Sequence, residues 1–343
     1  MRSDILELIK NYRTISIIGM AKNVGKTTVL NYLIGKARGI YALGLTSIGR
    51  DGEEYDQVSF FPKPRIYVEM GTLIATAKEA LFRSDITKEI IMTTDVYTPM
   101  GEVVIARALS DGYVDLAGPS INKEVKKISE FLLSLGADKV LVDGALSRKT
   151  QASPAISEAT ILVTGAILSP DMERTINETA FMVRLLTLQK ESNRDVIAKV
   201  NKILERSNLG FIYENGEYKC ANVLTAIDAS KEIVENLYGA KYVVIKGVIT
   251  DKLLNDIMNS TEAYKGIVFL AEDGTKFFIT EETFLKFQKA GGILRVIYPI
   301  NLVGVAVNPV SPTGYRYDRK EFLNRLMEKL NLPVFDVMGG DRY

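Results

Sequence analysis

The residues best suited to chemistry lie in one short segment, GMAKNVGKTT, which begins at Gly19 and fits the phosphate-binding pattern G-x-x-x-x-G-K-[ST]. Gly19 and Gly25 allow the backbone to curl so that successive N–H groups point at phosphate oxygens. Lys26 is expected to reach the β- and γ-phosphates. Thr27 is expected to place its hydroxyl on Mg²⁺, and Thr28 to donate near the α-phosphate. The segment therefore predicts a nucleotide site.

The elements around this segment are those that a phosphate-binding loop needs. Residues 14–20 form an apolar, β-branched run of strand length, and residues 27–34 carry apolar side chains at helical spacing. This order directs the positive end of the helix dipole at the bound phosphate. Within the loop, Lys22, Asn23 and Val24 are expected to contribute backbone contacts to the nucleotide. The alternative is an ordinary strand-to-helix turn that contains Gly-Lys, which this context disfavours.

A second acidic group is expected beside this loop, where it can hold Mg²⁺ or a metal-bound water. The run KVLVDGA at residues 139–145 is an apolar strand that ends in Asp143. In a parallel sheet this position lies at the carboxyl edge, where ligands bind, and Gly144 permits close approach of the backbone to phosphate. Asp143 is therefore predicted to be a metal ligand and a catalytic residue. The alternative is a strand-ending Asp in an ordinary turn.

Two other aspartates compete for the metal or for the attacking water. Asp51 follows the second predicted strand and is preferred, because the same carboxyl edge would bring it near Thr27. Its acidic neighbours Glu53 and Glu54 leave a solvated acidic loop as the alternative. Asp95 follows a later predicted strand and is the second choice. We assign Asp51 as a metal ligand and a catalytic residue.

Two further polar side chains complete the predicted site. Arg148 lies in a polar loop downstream of Asp143 and could stabilise transferring phosphate charge or bind an anionic substrate. A solvated surface arginine is the alternative. Asn308 closes the apolar strand GVAVN, and its side-chain amide suits the edge of a purine base. A strand-ending Asn in a turn is the alternative there.

Composition excludes several kinds of chemistry. The 343 residues include no histidine, which excludes histidine bases, histidine metal ligands and Ser-His or Cys-His pairs. The single cysteine, Cys220, cannot form an internal disulfide and is assigned no role. Lys and Arg number 43 against 42 Asp and Glu, a net charge of +1, so no overall field favours nucleic acid or a membrane surface. No apolar run has the length of a membrane span, and the chain is expected to be cytoplasmic.

Strand-like and helical patterns alternate along most of the chain, which favours an α/β fold with a doubly wound, mostly parallel sheet. We divide the chain into a nucleotide-binding core at 1–189, a smaller inserted α+β domain at 190–300, and a strand-helix-strand segment at 301–343 that returns to the core. Strands in the core are predicted at 15–19, 42–47, 66–69, 88–93, 113–117, 139–142 and 160–164. Helices are predicted at 122–135 and 169–189.

The insertion and the last segment have their own predicted elements. Strands in the insertion are expected at 241–250, 266–271, 276–280 and 294–298, with a turn at 272–274 between two of them. The last segment is expected to form a strand at 302–308, a helix at 319–330 and a strand at 333–337.

The motifs described above resemble those of P-loop NTPases of the SIMIBI class, near dethiobiotin synthetase and the molybdopterin-guanine dinucleotide adaptor protein. The segments that carry the resemblance are GMAKNVGKTT at 19–28, VLVDGA at 140–145 and GVAVN at 304–308. In order, they correspond to that group's phosphate loop, to its V-E/D-G-A signature and to its base-reading Asn. Met20 replaces the signature lysine of the deviant loop subgroup, and Leu146-Ser147 replaces a frequent Gly-Gly. The resemblance implies a site for ATP and Mg²⁺ on a P-loop NTPase fold.

A narrower resemblance comes from residues 101–120 and 142–166, which are similar to the nucleotide-binding reactivase subunits of adenosylcobalamin-dependent lysine or ornithine aminomutases. It implies an ATPase that acts on a protein partner, the aminomutase, and exchanges damaged cobalamin. Two alternatives stay open: an ATP-dependent small-molecule ligase or kinase, and a nucleotide-gated scaffold that does not hydrolyse. The sequence also leaves open ATP versus GTP and the oligomeric state, including a homodimer.

Overall fold

The described part of the chain folds into two compact units. The computed structural model describes residues 5–49, 65–144 and 156–337, apart from the side chains of residues 226 and 227. Unit 1 comprises Met1–Ala180 and Asn301–Tyr343, and unit 2 comprises Phe181–Ile300. Unit 2 begins inside a helix, upstream of the boundary at residue 190 that the sequence suggested.

The elements are numbered in chain order over the described residues. The strands are β1 Thr14–Gly19, β2 Leu43–Ser47, β3 Ile66–Val68, β4 Leu73–Ala77, β5 Lys88–Thr98, β6 Gly101–Ala108, β7 Gly112–Val114, β8 Lys139–Asp143, β9 Ala159–Gly165, β10 Leu209–Tyr213, β11 Tyr218–Ala221, β12 Ala240–Ile245, β13 Ile249–Thr250, β14 Val268–Ala271, β15 Phe277–Phe278, β16 Ile293–Val296, β17 Leu302–Asn308 and β18 Val334–Asp336. The helices are α1 Ile5–Ile9, α2 Lys26–Ala37, α3 Lys78–Phe82, α4 Asn122–Ser134, α5 Met172–Leu186, α6 Arg194–Arg206, α7 Ala226–Asn236, α8 Asp251–Ser260, α9 Glu281–Lys289 and α10 Arg319–Lys329. Among the described residues, no helix combines the length and the apolar character that crossing a bilayer requires.

Nine of the described strands of unit 1 form one sheet in the order β18-β17-β9-β1-β8-β2-β4-β6-β5. Neighbouring strands are parallel from β18 to β4, and β6 and β5 extend the sheet by antiparallel pairing. The carboxyl ends of β1, β8 and β2 lie side by side, with Ile17, Asp143 and Ser47 at one level of the sheet. The α/β class and the mostly parallel sheet predicted from the sequence are confirmed.

Helices cover both faces of this sheet because its central strands are apolar on both sides. All six residues of β1 are buried. Side chains alternate between the faces along each strand, so Leu141 and Val142 of β8 belong to different cores. Leu141 shares its core with Leu30 of α2, and Val142 shares its core with Ile128 of α4. The β1–α2 connection therefore crosses the carboxyl edge of the sheet on the α2 side.

Several predicted elements of unit 1 differ in the structure. The strand predicted at 88–93 is the first part of the longer β5, which is antiparallel to β6. The strands predicted at 66–69 and 113–117 form the separate antiparallel pair of β3 and β7. β4 and β6 were not predicted. The helix predicted at 169–189 is shorter in the structure, where α5 begins at Met172 and ends at Leu186.

Unit 2 has its own sheet and its own core. Five of its described strands form a sheet in the order β11-β10-β12-β14-β16. In this sheet β12, β14 and β16 are parallel, and β10 is antiparallel to both its neighbours. α6 shares a core with one face of the sheet, and α7, α8 and α9 share a core with the other. The buried rings of Phe211, Phe269, Phe284 and Phe287 fill the second core. Strands and helices alternate from β12 to β16, so this part of unit 2 is α/β where the sequence suggested α+β.

The turn predicted at 272–274 does not join two paired strands. β14 pairs with β12 and β16, whereas the next strand, β15, pairs with β13. Asp273 is fully buried, and one carboxylate oxygen accepts hydrogen bonds from the backbone N–H and the hydroxyl of Thr275 at 2.9 and 2.5 Å. This acceptor supports the 3₁₀ turn Gly274–Lys276. The predicted turn between two strands is therefore present, between β14 and β15, although these two strands do not pair with each other.

Lys139 at the start of β8 is a buried cation that caps the carboxyl end of helix α1. Its replacement by Met is expected to lower the free energy of unfolding by about 3 kcal/mol. Its ammonium group donates to the carbonyl oxygens of Ile9, Lys10 and Tyr12 at 3.0, 2.9 and 2.8 Å. Burial lowers the pKa of Lys139. The Met variant would leave the three carbonyl oxygens without this hydrogen-bond donor. Urea unfolding measures the loss. Replacement of the exposed Lys123 by Met is the matched control, and equal stability of both variants would contradict this role.

Candidate functional site

The connection between β1 and α2, called here the β1–α2 loop (residues 20–25), adopts a tightly curled backbone. Asn23 and Gly25 have φ angles of 57° and 107°, in the left-handed region. A side chain is strongly disfavoured at Gly25, whereas Asn tolerates the conformation at position 23. The N–H of Met20 donates to the carbonyl of Val163 in β9 at 2.9 Å, which fixes the beginning of the loop to the sheet. Gly25 thus has the conformational role that the sequence pattern predicts for it.

Gly19 is required by the way Lys26 packs. A Cβ atom at position 19 would lie 2.7 Å from Cγ of Lys26 and 2.6 Å from Cγ1 of Val24, distances that real contacts do not show. The stem of Lys26 therefore lies across Gly19, and its Nζ donates to the carbonyl of Ala21 in the loop at 3.4 Å. Val24 is fully buried beneath the loop, so only its backbone could contact a ligand. This packing holds a single ammonium group over the curled main chain.

The first turn of α2 offers donors to an anion. Gly25 precedes the helix at the N-cap position and has no side chain with which to cap the first N–H groups. Thr27 and Thr28 lie in this first turn and are partly exposed, and Lys22 and Asn23 of the loop are exposed. Backbone N–H groups, two hydroxyls and the positive helix end suit a phosphate.

Lys26 and Asp143 interact electrostatically. The surrounding protein desolvates the Lys26 ammonium and lowers its pKa, and the positive charge of Lys22 lowers it further. The negative charge of the Asp143 carboxylate opposes this shift of the Lys26 pKa. Asp143 ends β8 beside β1, as the sequence predicted, and its carbonyl accepts from the N–H of Ile48 at 2.8 Å. An anion bound between the loop and Asp143 would therefore stabilise the charged form of Lys26.

Asn308 at the end of β17 lies directly against the β1–α2 loop. A Cβ atom at Gly25 would lie 3.1 Å from Nδ2 of Asn308, and a Cβ atom at Gly165 would lie 2.3 Å from the carbonyl oxygen of Asn308. The two glycines thus permit β17 to approach both the loop and β9. The side-chain oxygen of Asn308 accepts from the N–H of Val310 at 3.1 Å, which leaves its amide nitrogen at the loop. Asn308 therefore both ends its strand in an Asx turn and lies beside the β1–α2 loop.

Ser47 and Gly118 belong to the same edge of the sheet and were not singled out from the sequence. Ser47 ends β2 at the level of Asp143, and its hydroxyl accepts from the N–H of Gly118 at 3.0 Å. A Cβ atom at Gly118 would lie 1.8 Å from the carbonyl oxygen of Ser47, so only glycine fits. The two residues are far apart in the chain, and the Gly-Pro pair at 118–119 was the only local signal.

Of the other predicted side chains, the structure describes only Asp95, and Asp95 is not part of this assembly. Asp51 and Arg148 lie outside the described residues. Asp95 lies within the antiparallel β5 rather than after a parallel strand, and its almost fully exposed carboxylate is 3.8 Å from Nζ of Lys127. The structure therefore does not support the second choice of acid.

The described site thus gathers the β1–α2 loop, Lys26, Thr27, Asp143 and Asn308 at the carboxyl edge of a mostly parallel sheet. Neither the family models nor the curated proteins compared with the chain gave a match. Its chemistry therefore has to be argued from its own residues. They offer hydrogen-bond donors for phosphate, the ammonium group of Lys26, oxygen ligands for a metal and the side-chain amide of Asn308.

Proposed function

We propose that the protein is a Mg²⁺-dependent P-loop NTPase that binds and hydrolyses ATP. The observation that carries the proposal is the curl of the β1–α2 loop, with Gly25 at a φ of 107° and Lys26 lying across Gly19. A loop of this kind presents backbone N–H groups and one ammonium group to a polyanion. The position of the loop, between a central parallel strand and the start of a helix, supports the same conclusion.

Each residue then has a role that follows from its place. The loop amides and Lys26 bind the β- and γ-phosphates and orient them. The Thr27 hydroxyl and the Asp143 carboxylate are hard oxygen donors, which fit Mg²⁺, and either could bind it directly or through water. When bound, Mg²⁺ would neutralise charge on the transferring phosphoryl group. Positioning and electrostatic stabilisation suffice for hydrolysis, so the lack of histidine is no obstacle.

The narrower sequence resemblance supports a protein as the target of this ATPase. Residues 101–120 are among those similar to aminomutase reactivase subunits, and they include Gly118, which packs on the end of β2 beside Asp143. Segments in such a position respond to nucleotide in many switching NTPases. We therefore propose an adenosylcobalamin-dependent aminomutase as the partner and ATP hydrolysis as the driving reaction.

The test measures ADP release by the purified chain alone, with an inactivated aminomutase, and with a panel of small carboxylic acids and amines. We expect Mg²⁺-dependent ATP binding and turnover that the aminomutase accelerates by at least about tenfold, a threshold well below the roughly 10³–10⁵-fold that a partner-supplied arginine contributes in other NTPases. ADP release matched by product from a small acid or amine would instead indicate a ligase or kinase. Tight binding without turnover under any condition would indicate a nucleotide-gated scaffold. Parallel titrations with ATP and GTP analogues show whether the site prefers an adenine or a guanine nucleotide.

A further inference from the structure

The segment that follows β17, called here the 309–317 loop, is closed on itself. The N–H of Tyr317 donates to the carbonyl of Pro309 at 2.9 Å, and the N–H of Ser311 donates to the carbonyl of Tyr315 at 2.9 Å. Most of the loop is exposed, including Val310 at 46%. Because the loop begins directly after Asn308, its position decides where the Asn308 amide points.

One buried side chain attaches this exposed loop to the rest of unit 1. Tyr317 is only 7% exposed, and its ring packs edge-on against Phe322 of α10 with the ring centres 5.0 Å apart. Its hydroxyl forms hydrogen bonds with the hydroxyl of Thr175, at 2.8 Å, and with the carbonyl of Ser169. The loop is therefore fixed to the beginning of α5 through a single phenolic oxygen.

The hydrogen bonds continue from α5 to the sheet. Thr179 donates to the carbonyl of Thr175 at 2.7 Å, one turn earlier in α5. The hydroxyls of Thr179 and Thr164 are 2.7 Å apart, and Thr164 lies in β9 one residue before Gly165. Gly165 is the residue whose missing side chain lets Asn308 approach β9. These buried hydroxyls, at Thr164, Thr175, Thr179 and Tyr317, thus fix both sides of the Asn308 position.

Strand order separates this region from the phosphate end of the site. β8, with Asp143, is on one side of β1, whereas β9 and then β17, with Asn308, are on the other. A nucleotide laid along the carboxyl edge, with its phosphates at Lys26 and Asp143, extends its base toward Asn308 and the 309–317 loop. The side-chain amide of Asn308 is a hydrogen-bond donor that a purine acceptor can use.

We propose that Tyr317 is a positioning residue for base recognition, which holds Asn308 and the 309–317 loop against the purine of a bound nucleoside triphosphate. The inference rests on the proposed function, because it assumes that the phosphates bind the β1–α2 loop. Within the described part of the chain, the side chain of Tyr317 bonds to Thr175, Ser169 and Asp171 and packs on Phe322, and none of these is proposed to bind phosphate. Its loss therefore affects the base contact and leaves the phosphate contacts intact.

The experiment compares the binding of Mg-ATP and of Mg-tripolyphosphate, which has the phosphates but no base. Replacing Tyr317 with Phe keeps the ring and removes the hydroxyl. The variant is expected to lose about tenfold in affinity for Mg-ATP and to bind Mg-tripolyphosphate as the wild type does. Thr175→Val removes the partner hydroxyl from the other side and should give the same pattern, so the test survives if one variant fails to fold. Tyr67→Phe, which removes the hydroxyl bonded to Asp111 at 3.1 Å, is the matched control and should change neither affinity.

The outcomes separate this inference from the proposed function. Equal weakening of both ligands, or no weakening of either, in variants with wild-type unfolding temperatures would overturn the role of Tyr317. The proposed function itself fails if the wild type binds neither ligand. It also fails if the Lys26→Ala variant binds both ligands as well as the wild type does. Loss confined to Mg-ATP supports the inference.

Discussion

Replacing Lys26 with Ala is expected to weaken Mg-ATP binding by about 100-fold or more, because the variant loses the ammonium group whose stem lies across Gly19 and which donates to the carbonyl of Ala21 in the β1–α2 loop. Hydrogen bonds to charged groups contribute about 1.5–3 kcal/mol each, and a phosphate chain accepts more than one from such a lysine. The backbone amides remain, so residual binding is expected. Isothermal titration with a slowly hydrolysed ATP analogue measures the loss.

The stability of the same variant makes the result interpretable. Desolvation lowers the pKa of Lys26, which means that the folded protein holds this charge at a cost. Its removal should therefore leave the unfolding temperature unchanged or slightly higher. Replacement of Lys36 by Ala, near the end of the same helix and 5.6 Å from the centre of the Tyr32 ring, is the matched control and should bind normally. If Lys26→Ala retained full affinity, the phosphate site would not be at this loop.

The loop and its flanking elements were predictable because their signals are local. The apolar run of β1, the two glycines and the periodic residues of α2 follow one another within a few turns of chain. Gly19 and Gly25 have roles that local geometry imposes, a close side-chain approach and a positive φ angle. The signals for these two roles lie within the loop itself, so sequence spacing was sufficient to predict them.

The end of α5 shows where such reasoning fails. Apolar periodicity continued the predicted helix to residue 189, and the sequence there contains no Gly or Pro to end it. In the structure, the N–H of Val296 donates to the carbonyl of Gln189 and the N–H of Glu191 donates to the carbonyl of Val296, at 3.0 and 2.8 Å. Pairing with β16, which is far away in the chain, replaces the helical bonds that residues 189–191 would otherwise form.

The same reason explains the site residues that the sequence did not identify. Ser47 and Gly118 meet across two elements, and Tyr317 acts on Asn308 through α5. A serine, a glycine and a tyrosine in these positions have no distinctive spacing. β4 and β6 were overlooked in a related way, since short apolar segments do not indicate which strand they pair with.

Replacing Asp143 with Asn is expected to lower Mg²⁺-dependent ATP hydrolysis on the order of 100-fold, or about 2.7 kcal/mol of transition-state stabilisation. The carboxylate at the end of β8 is the charged oxygen ligand that the described site offers to Mg²⁺, and an amide holds the ion less well. Binding of ATP without Mg²⁺ should change in the opposite direction. The carboxylate repels phosphate oxygens, so its neutralisation should leave metal-free binding equal or tighter.

This reversal of sign distinguishes a metal role from a general loss of structure. A misfolded site would bind ATP more weakly with and without Mg²⁺, whereas a site that has lost only its metal ligand would lose the benefit of Mg²⁺ alone. Asp138→Asn is the matched control, because Asp138 precedes the other end of β8 and accepts from the N–H of Ala42 at 2.8 Å, a bond that Asn can also accept. Its hydrolysis rate should equal that of the wild type. Equal hydrolysis by Asp143→Asn would assign the metal to other residues, and the strand-ending Asp would then be an ordinary turn residue.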